Sequence, residues 1–187
     1  MMRKLIGAAF LALLLGPVSG ASAAALEKID CKRMTLTFRT QPDPDWTECY
    51  RARQSGQGER AGDLSANFEV MMSDLRTHVV HIEAGKAGQT SYFFKDSIES
   101  QLKEFDEIED RSDFVEDEEF EDYDLVRFQA QLWKKKTDCV GFLKYTHATY
   151  TQGGGAGAGT YIVGYDCWRN GAPDRATVEA FLKSIKW

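Results

Sequence analysis

Two stretches of the sequence, Cys139-Val-Gly-Phe-Leu-Lys-Tyr145 and Thr160-Tyr-Ile-Val-Gly-Tyr-Asp-Cys167, give the strongest indication of the fold. Both are rich in β-branched and aromatic residues, and a glycine-rich connection joins them, which predicts two antiparallel strands of one hairpin. If the turn is centred near Gly153, Cys139 lies directly opposite Cys167. Cysteines in that position are close enough for a disulfide. The hairpin therefore predicts the pair Cys139–Cys167.

The two remaining cysteines, Cys31 and Cys49, then form the second predicted disulfide. An even number of cysteines is typical of disulfides in an exported domain. A metal or redox site is disfavoured, because no two cysteines have CxxC spacing and no histidine follows one at ligand spacing. The chain-entropy model assigns roughly 3 to 4 kcal/mol to each of the two rings.

Residues 1–23 have the pattern of a cleavable signal peptide. Arg3 and Lys4 precede an apolar stretch at 5–15, and Ala21-Ser22-Ala23 is a small-residue cleavage site. Removing residues 1–23 from the 187 leaves 164, which predicts one exported domain at 24–187. No later apolar stretch approaches the roughly 18 residues of a membrane span. We expect a periplasmic protein, with full secretion as the alternative.

Alternating apolar and polar residues predict several strands. The segments with this pattern are 34–38, 47–53, 67–72, 78–83 and 124–133. The polar, glycine-containing segment 53–63 is predicted to be a loop. Prolines and aspartates at 41–46 predict a turn.

Two amphipathic helices are predicted. Asp96 is predicted to cap the first, whose apolar stripe consists of Ile98, Leu102 and Phe105. Pro173 and Asp174 precede the second stripe, which consists of Val178, Phe181, Leu182 and Ile185. The expected fold is therefore α+β: an antiparallel sheet packed by two helices and closed by two disulfides.

From about residue 66 onward, the predicted order is strands, helix, three meandering strands and a C-terminal helix. This order resembles the PsbP/Mog1-like α/β/α sandwich. The resemblance is one of element order and carries no motif, so it transfers no functional residue. It implies a binding or assembly module rather than an enzyme.

The acidic segment 104–124 is the most unusual part of the chain. Thirteen of its 21 residues are Asp or Glu and only Arg111 is basic, so its net charge is −12 while the rest of the chain sums to +6. Such crowding attracts a cationic partner or a divalent cation. The candidate partner-binding residues are Glu116, Asp117, Glu118, Glu119, Phe120 and Glu121. The alternative is a solvated connector.

A dedicated calcium loop is not expected in this segment, since an EF-hand loop needs a glycine and there is none between Gly88 and Gly141. His78 and His81 lie three positions apart, so a strand places them on opposite faces and they cannot share a metal by themselves. No metal site and no cofactor are predicted. Nucleic acid is an unexpected partner for a chain of net charge −6.

The glycine-rich run 153–159 lies between two strands and lacks the lysine of a phosphate-binding loop, so it is predicted to be a hairpin tip. Facing tyrosines, Tyr145 and Tyr161, are expected beside it. No nucleophile elbow is present. The leading hypothesis is a non-catalytic exported domain that binds a protein, an envelope component or a small ligand. The alternatives are a small hydrolase that uses a carboxyl of raised pKa, and weak divalent-cation binding by the acidic segment.

Overall fold

The computed structural model describes residues 26–39, 44–55, 65–88, 92–150 and 156–187. The predicted signal peptide at 1–23, most of the predicted loop at 53–63 and the centre of the predicted hairpin tip near Gly153 lie outside the described residues. No described helix is long and apolar enough to cross a membrane.

Ten strands and two α-helices are described. The strands are β1 (Glu27–Lys28), β2 (Trp46–Ser55), β3 (Ser65–Asp74), β4 (His78–Ala87), β5 (Phe93–Phe94), β6 (Ile108–Glu109), β7 (Val115–Phe120), β8 (Tyr123–Leu132), β9 (Lys135–Tyr150) and β10 (Ala156–Trp168). The helices are α1 (Ile98–Leu102) and α2 (Arg175–Ser184), and a 3-10 turn covers Cys31–Arg33. The predicted strands at 47–53, 67–72 and 78–83 are confirmed within these bounds, and the one at 124–133 is confirmed except for Trp133, which begins the turn after β8.

All ten strands belong to one antiparallel sheet, in the order β1-β2-β3-β4-β10-β9-β8-β6, with β5 added to β10 and β7 added to β8. Two meanders build it. The first is β2-β3-β4 and the second is β8-β9-β10, and β4 pairs with β10 to join them. The sheet dominates the fold, since the helices contain five and ten residues. The predicted α+β class is thus confirmed for the sheet and the disulfides, and only in part for the helices.

The register of β9 and β10 is the predicted one. Cys139 pairs with Cys167, and Tyr145 pairs with Tyr161. The disulfide Cys139–Cys167 joins Cα atoms 4.0 Å apart. The second predicted disulfide, Cys31–Cys49, is also present and ties the 3-10 turn to β2. No cysteine is left free.

The prediction of a strand at 34–38 is wrong. Met34 and Leu36 are buried as the alternation requires, but Thr37 makes one isolated bridge, to Lys186. The backbone N–H groups of Thr35 and Leu36 donate instead to a carboxylate oxygen of Glu69, at 2.8 and 2.7 Å. A buried side chain therefore satisfies the donors that a neighbouring strand would otherwise have bonded.

Each face of the sheet is covered by different elements. Helix α2 and residues 34–38 cover one face, where Val178 and Leu182 pack with Val80 and Ile82. Helix α2 begins after Asp174, whose side chain caps it by accepting a hydrogen bond from the Thr177 N–H at 2.7 Å.

Helix α1 covers the opposite face with Ile98 and Leu102. The capping residue is Ser97 rather than the predicted Asp96, because the Ser97 hydroxyl accepts from the Ser100 N–H. Phe105, predicted on the helix, is buried just after the helix ends. This face also holds Val79 and Tyr165, so successive residues of β4 point to opposite sides.

Candidate functional site

Two buried histidine–carboxylate pairs lie on opposite faces of β4. On the face covered by α2, His78 and Asp166 are hydrogen-bonded through Nδ1 and Oδ1 at 2.6 Å. The indole N–H of Trp168 donates to the other oxygen of Asp166 at 2.8 Å, and its ring packs on the imidazole at 4.2 Å. The group links β4 to β10 at one end of their ladder.

Among the described residues, Asp166 is a carboxyl group whose pKa is raised, and the cause is its burial. The hydrolase hypothesis requires a carboxyl of this kind that a substrate can reach. Asp166 is 3% exposed, and both of its oxygens already accept hydrogen bonds from protein groups. Its arrangement is that of a buried structural carboxyl.

The second pair lies on the face covered by α1. Nδ1 of His81 donates to Oε1 of Glu107, and the Tyr165 hydroxyl donates to the same oxygen at 2.9 Å. Burial lowers the pKa of His81, but the hydrogen bond to Glu107 and the nearby carboxylate of Glu83 outweigh it and raise that pKa to about 9. Burial raises the pKa of Glu107, yet the hydrogen bond from His81 holds it below its usual value. The pair is therefore ionised at neutral pH.

Aromatic side chains enclose the ring of His81: its centroid lies 4.7 Å from that of Phe105 and 5.6 Å from that of Tyr165. Its Nε2 atom is buried without a hydrogen-bond partner among the described residues, and Oε1 of Glu83 lies 3.6 Å away. Burial and the neighbouring charge of Glu107 raise the pKa of Tyr165 well above its usual value, so its hydroxyl stays protonated. This group fastens the chain after α1 to the sheet.

Within the described residues, no set of three or more His, Cys, Asp or Glu residues has an arrangement suited to a metal ion. His78 and His81 lie on opposite faces of β4, as predicted from a strand. Each is bound to a carboxylate of its own, Asp166 and Glu107 respectively.

About half of the acidic segment 104–124 belongs to the sheet, in β6, β7 and the start of β8, which the alternative of a solvated connector does not anticipate. β7 pairs with β8 and forms an outer strand, and the two are joined by the two-residue turn Glu121–Asp122. We call residues 115–124 the acidic hairpin. Its exposed carboxylates belong to Glu116, Glu118, Glu119, Glu121, Asp122 and Asp124.

Two of the predicted partner-binding residues point inward. Asp117 is half-buried and accepts from Arg127 Nε at 2.6 Å, and the Arg175 guanidinium lies 3.7 Å from it. These cations outweigh burial and hold the pKa of Asp117 below its usual value. Phe120 packs beside the core, with Lys183 over its ring at 5.0 Å. The other four predicted residues, Glu116, Glu118, Glu119 and Glu121, are exposed.

Helix α2 fixes the shape of the acidic hairpin. The register of β7 shifts between Asp117 and Phe120, so that a bulge contains Glu118 and Glu119. The guanidinium of Arg175 donates to the carbonyl oxygens of these two residues, at 2.7 and 3.1 Å. A bulge and charged side chains both prevent a further strand from adding to an outer strand. The hairpin therefore presents carboxylates rather than free backbone groups.

The exposed carboxylates have few cationic neighbours. Lys144 lies 3.7 Å from Asp122 and donates to the Glu121 carbonyl at 2.7 Å. Among the described residues, no salt bridge involves Glu116, Glu118, Glu119, Glu121 or Asp124. Their side chains are exposed to solvent.

Two surface cavities lie away from the buried pairs. One, of about 490 Å³, is lined by residues of the N-terminal segment and α2 that include Arg39, Lys183 and Lys186. The other, of about 500 Å³, is lined by Asp110, Lys136, Asp138, Arg169 and polar neighbours. Neither is lined by His78, His81, Asp166 or Glu107. The described part of the glycine-rich run, Gly157 and Gly159, is strand rather than a loop before a helix.

Comparison of the chain with known protein families, curated proteins and solved structures finds no match. Sequence reasoning identified the acidic segment but missed the roles of Glu107 and Asp166. It also left Asp122 and Asp124 out of the candidate surface, although they belong to the same acidic run. One sequence signal pointed to buried histidines: His78 and His81 lie in a predicted strand among apolar residues.

Proposed function

We propose that this chain is an exported, non-catalytic binding domain, and that its acidic hairpin binds a cationic protein or a cationic component of the envelope. One observation carries the proposal. Six exposed carboxylates project from a hairpin that Arg127 holds through the Asp117 side chain and Arg175 holds through two backbone carbonyls. A preformed charged surface of this kind accelerates encounter with a partner of opposite charge and loses little freedom on binding.

Three further features support the proposal. Two disulfides suit an oxidising compartment, for which we propose the periplasm, with secretion as the alternative. The titratable groups of the two buried pairs are engaged with one another, so they support the fold and do not face a substrate. The resemblance of the element order to the PsbP/Mog1-like sandwich favours a binding module by analogy alone.

The test is a charge-neutralised variant of the acidic hairpin that carries Glu116→Gln, Glu118→Gln, Glu119→Gln and Glu121→Gln. Binding of fluorescent oligolysine is measured by anisotropy at low and high salt. We expect the variant to lose about ten-fold or more in affinity, roughly 1.4 kcal/mol. We also expect wild-type affinity to fall steeply with salt, because exposed charges are screened beyond about 10 Å.

The matched control removes the same number of charges from another part of the acidic segment, with Glu104→Gln, Asp106→Asn, Glu109→Gln and Asp113→Asn. All four residues are exposed. We expect the control to keep most of the affinity. Equal losses in the two variants would mean that net charge alone attracts the probe, and the proposal would then be wrong. Pull-down from an envelope extract with the same pair of variants then searches for the natural partner.

A further inference from the structure

The outer edge of β9 extends beyond the end of β8. β8 pairs with β9 as far as Asp124 opposite Leu143, whereas β9 continues to Tyr150. On its other side β9 stays paired with β10 up to Tyr150 opposite Ala156. No described strand pairs with the outer side of β9 beyond Leu143. We call residues 145–149 the free edge of β9.

The direction of the backbone groups on this edge follows from the disulfide. Cys139 and Cys167 have Cα atoms 4.0 Å apart, the short spacing of a pair that does not exchange backbone hydrogen bonds. Such pairs alternate along an antiparallel ladder, and the register to β10 holds without a shift. Tyr145, His147 and Thr149 therefore direct their N–H and C=O groups away from β10.

An independent contact agrees with this alternation. In the neighbouring ladder of β8 and β9, Gln129 lies opposite Asp138, the residue next to Cys139. The alternation therefore predicts that Gln129 directs its N–H and C=O groups away from β9. Its N–H donates to the Ser112 hydroxyl and its C=O accepts from the Ser112 N–H, both at 2.8 Å and both on the side away from β9. The backbone groups of Gln129 are thus bonded to Ser112 rather than to β9, which agrees with the alternation inferred from Cys139.

The outer strand β7 and the free edge of β9 differ in the residues that they carry. β7 carries a bulge and exposed acids, which prevent further pairing. The free edge of β9 has the sequence Tyr-Thr-His-Ala-Thr, with no Pro, Lys, Asp or Glu. A strand edge without such residues is a template for another strand.

Acidic residues stand at one end of the free edge. An added strand would occupy the line of β8, and would therefore meet the turn Glu121–Asp122 and Asp124. In antiparallel addition its C-terminal end meets this turn. A second copy pairing antiparallel through its own β9 would bring the end of that strand, Tyr150, to the acids, and this residue carries no positive charge. Charge complementarity selects a basic peptide instead.

We propose that the partner binds as an extended peptide that adds antiparallel to the free edge of β9, with lysine or arginine residues at its C-terminal end against Glu121, Asp122 and Asp124. The inference rests on the proposed function and specifies the partner's conformation. The peptide residue opposite Tyr145 lies on the same face as that ring, so an apolar side chain is favoured there. Backbone hydrogen bonds supply affinity, and the acids select the end that is basic.

The probe is a peptide of alternating valine and threonine residues with lysines at its C-terminal end. Affinity is compared with the same peptide carrying its lysines at the N-terminal end, and with a form that is N-methylated at alternate residues. We expect both changes to weaken binding at least about five-fold, as expected for the loss of one or more net hydrogen bonds or charge contacts. Equal affinity of the methylated and unmethylated peptides would overturn strand addition.

The protein-side test is the pair His147→Pro and His147→Ala. Proline removes one outward N–H without touching the ladder to β10, whereas alanine keeps that N–H. We expect about five-fold weaker binding for His147→Pro only. Equal loss in both variants would overturn the inference. If the charge-neutralised acidic hairpin loses oligolysine while His147→Pro changes nothing, the proposed function stands and the extended-peptide inference fails.

Discussion

Nδ1 of His81 donates to Oε1 of Glu107, which joins the central strand β4 to the chain that follows α1, across 26 residues of sequence. The pair has a buried imidazolium on one side and a carboxylate whose side chain is 23% exposed on the other. Glu107 thus belongs to the acidic segment but supports the fold, whereas Glu116 to Asp124 include the carboxylates that face solvent.

Glu107→Gln should destabilise the domain by about 3 kcal/mol. The variant leaves the buried charge of His81 without its carboxylate, and breaking a buried pair costs about 3 to 5 kcal/mol; the lower end applies because Glu107 is partly accessible. Urea denaturation followed by circular dichroism measures the effect. The control is Glu109→Gln, an exposed neighbour, which should change stability by less than about 0.5 kcal/mol. Equal stability of both variants would contradict the role of Glu107.

Stability should fall as the pH rises through about 9. The pKa of His81 is raised from 6.5 to about 9, so its protonated form stabilises the folded state fully below pH 6.5 and this contribution is lost as pH approaches and passes about 9. Glu107, whose pKa is lowered from 4.5, stabilises above that value and loses its contribution as the pH falls below it. Unfolding free energies of wild type and Glu107→Gln across this range test the point. Parallel curves would show that the pair does not titrate as described.

Removing the disulfide Cys139–Cys167 by a double serine substitution should destabilise the domain by about 3 to 4 kcal/mol. The ring spans a sequence separation of 28 residues, against 18 for Cys31–Cys49. In the chain-entropy model the longer ring stabilises by a few tenths of a kcal/mol more. Thermal unfolding of both double variants is the measurement. A much larger loss for Cys31–Cys49 would show that fixing the N-terminal segment matters more than ring length.

Lys134→Gly should stabilise the hairpin β8–β9 by about 0.5 to 1 kcal/mol. Trp133 and Lys134 form its two-residue turn with φ of 50° and 66°, a conformation that glycine adopts without steric cost. Lys135→Gly, one position later and in the strand, should instead be destabilising. Chemical denaturation of the two variants measures their free energies of unfolding and tests this difference. Destabilisation by Lys134→Gly would contradict a strained turn.

The register of the hairpin β9–β10 could be predicted to the residue because two signals agree there: strand-like composition and a pair of cysteines in facing positions. The length of its strands could not, since 156–159 of the predicted tip belong to β10. The segment 34–38 shows why alternation alone is insufficient. Burial of Met34 and Leu36 requires only an extended backbone, and the partner of its N–H groups is the distant Glu69 side chain.

The acidic hairpin could be predicted as a surface but not as a strand. The sequence Val-Glu-Asp-Glu-Glu-Phe of β7 has no period-2 alternation, and its pairing with β8 depends on backbone bonds together with Arg127 and Arg175. Arg175 lies 57 residues from Glu118. The pairs His81–Glu107 and His78–Asp166 were missed for the same reason, because no local pattern indicates a partner 26 or 88 residues away.

The binding surface can be mapped by nuclear magnetic resonance of the backbone amides during titration with the C-terminally lysine-bearing peptide. We expect the largest shifts on the acidic hairpin and on Tyr145, His147 and Thr149, and we expect these shifts to diminish with added salt. Shifts confined to the cavity lined by Asp110 and Arg169, or spread evenly over all acidic residues, would contradict this expectation.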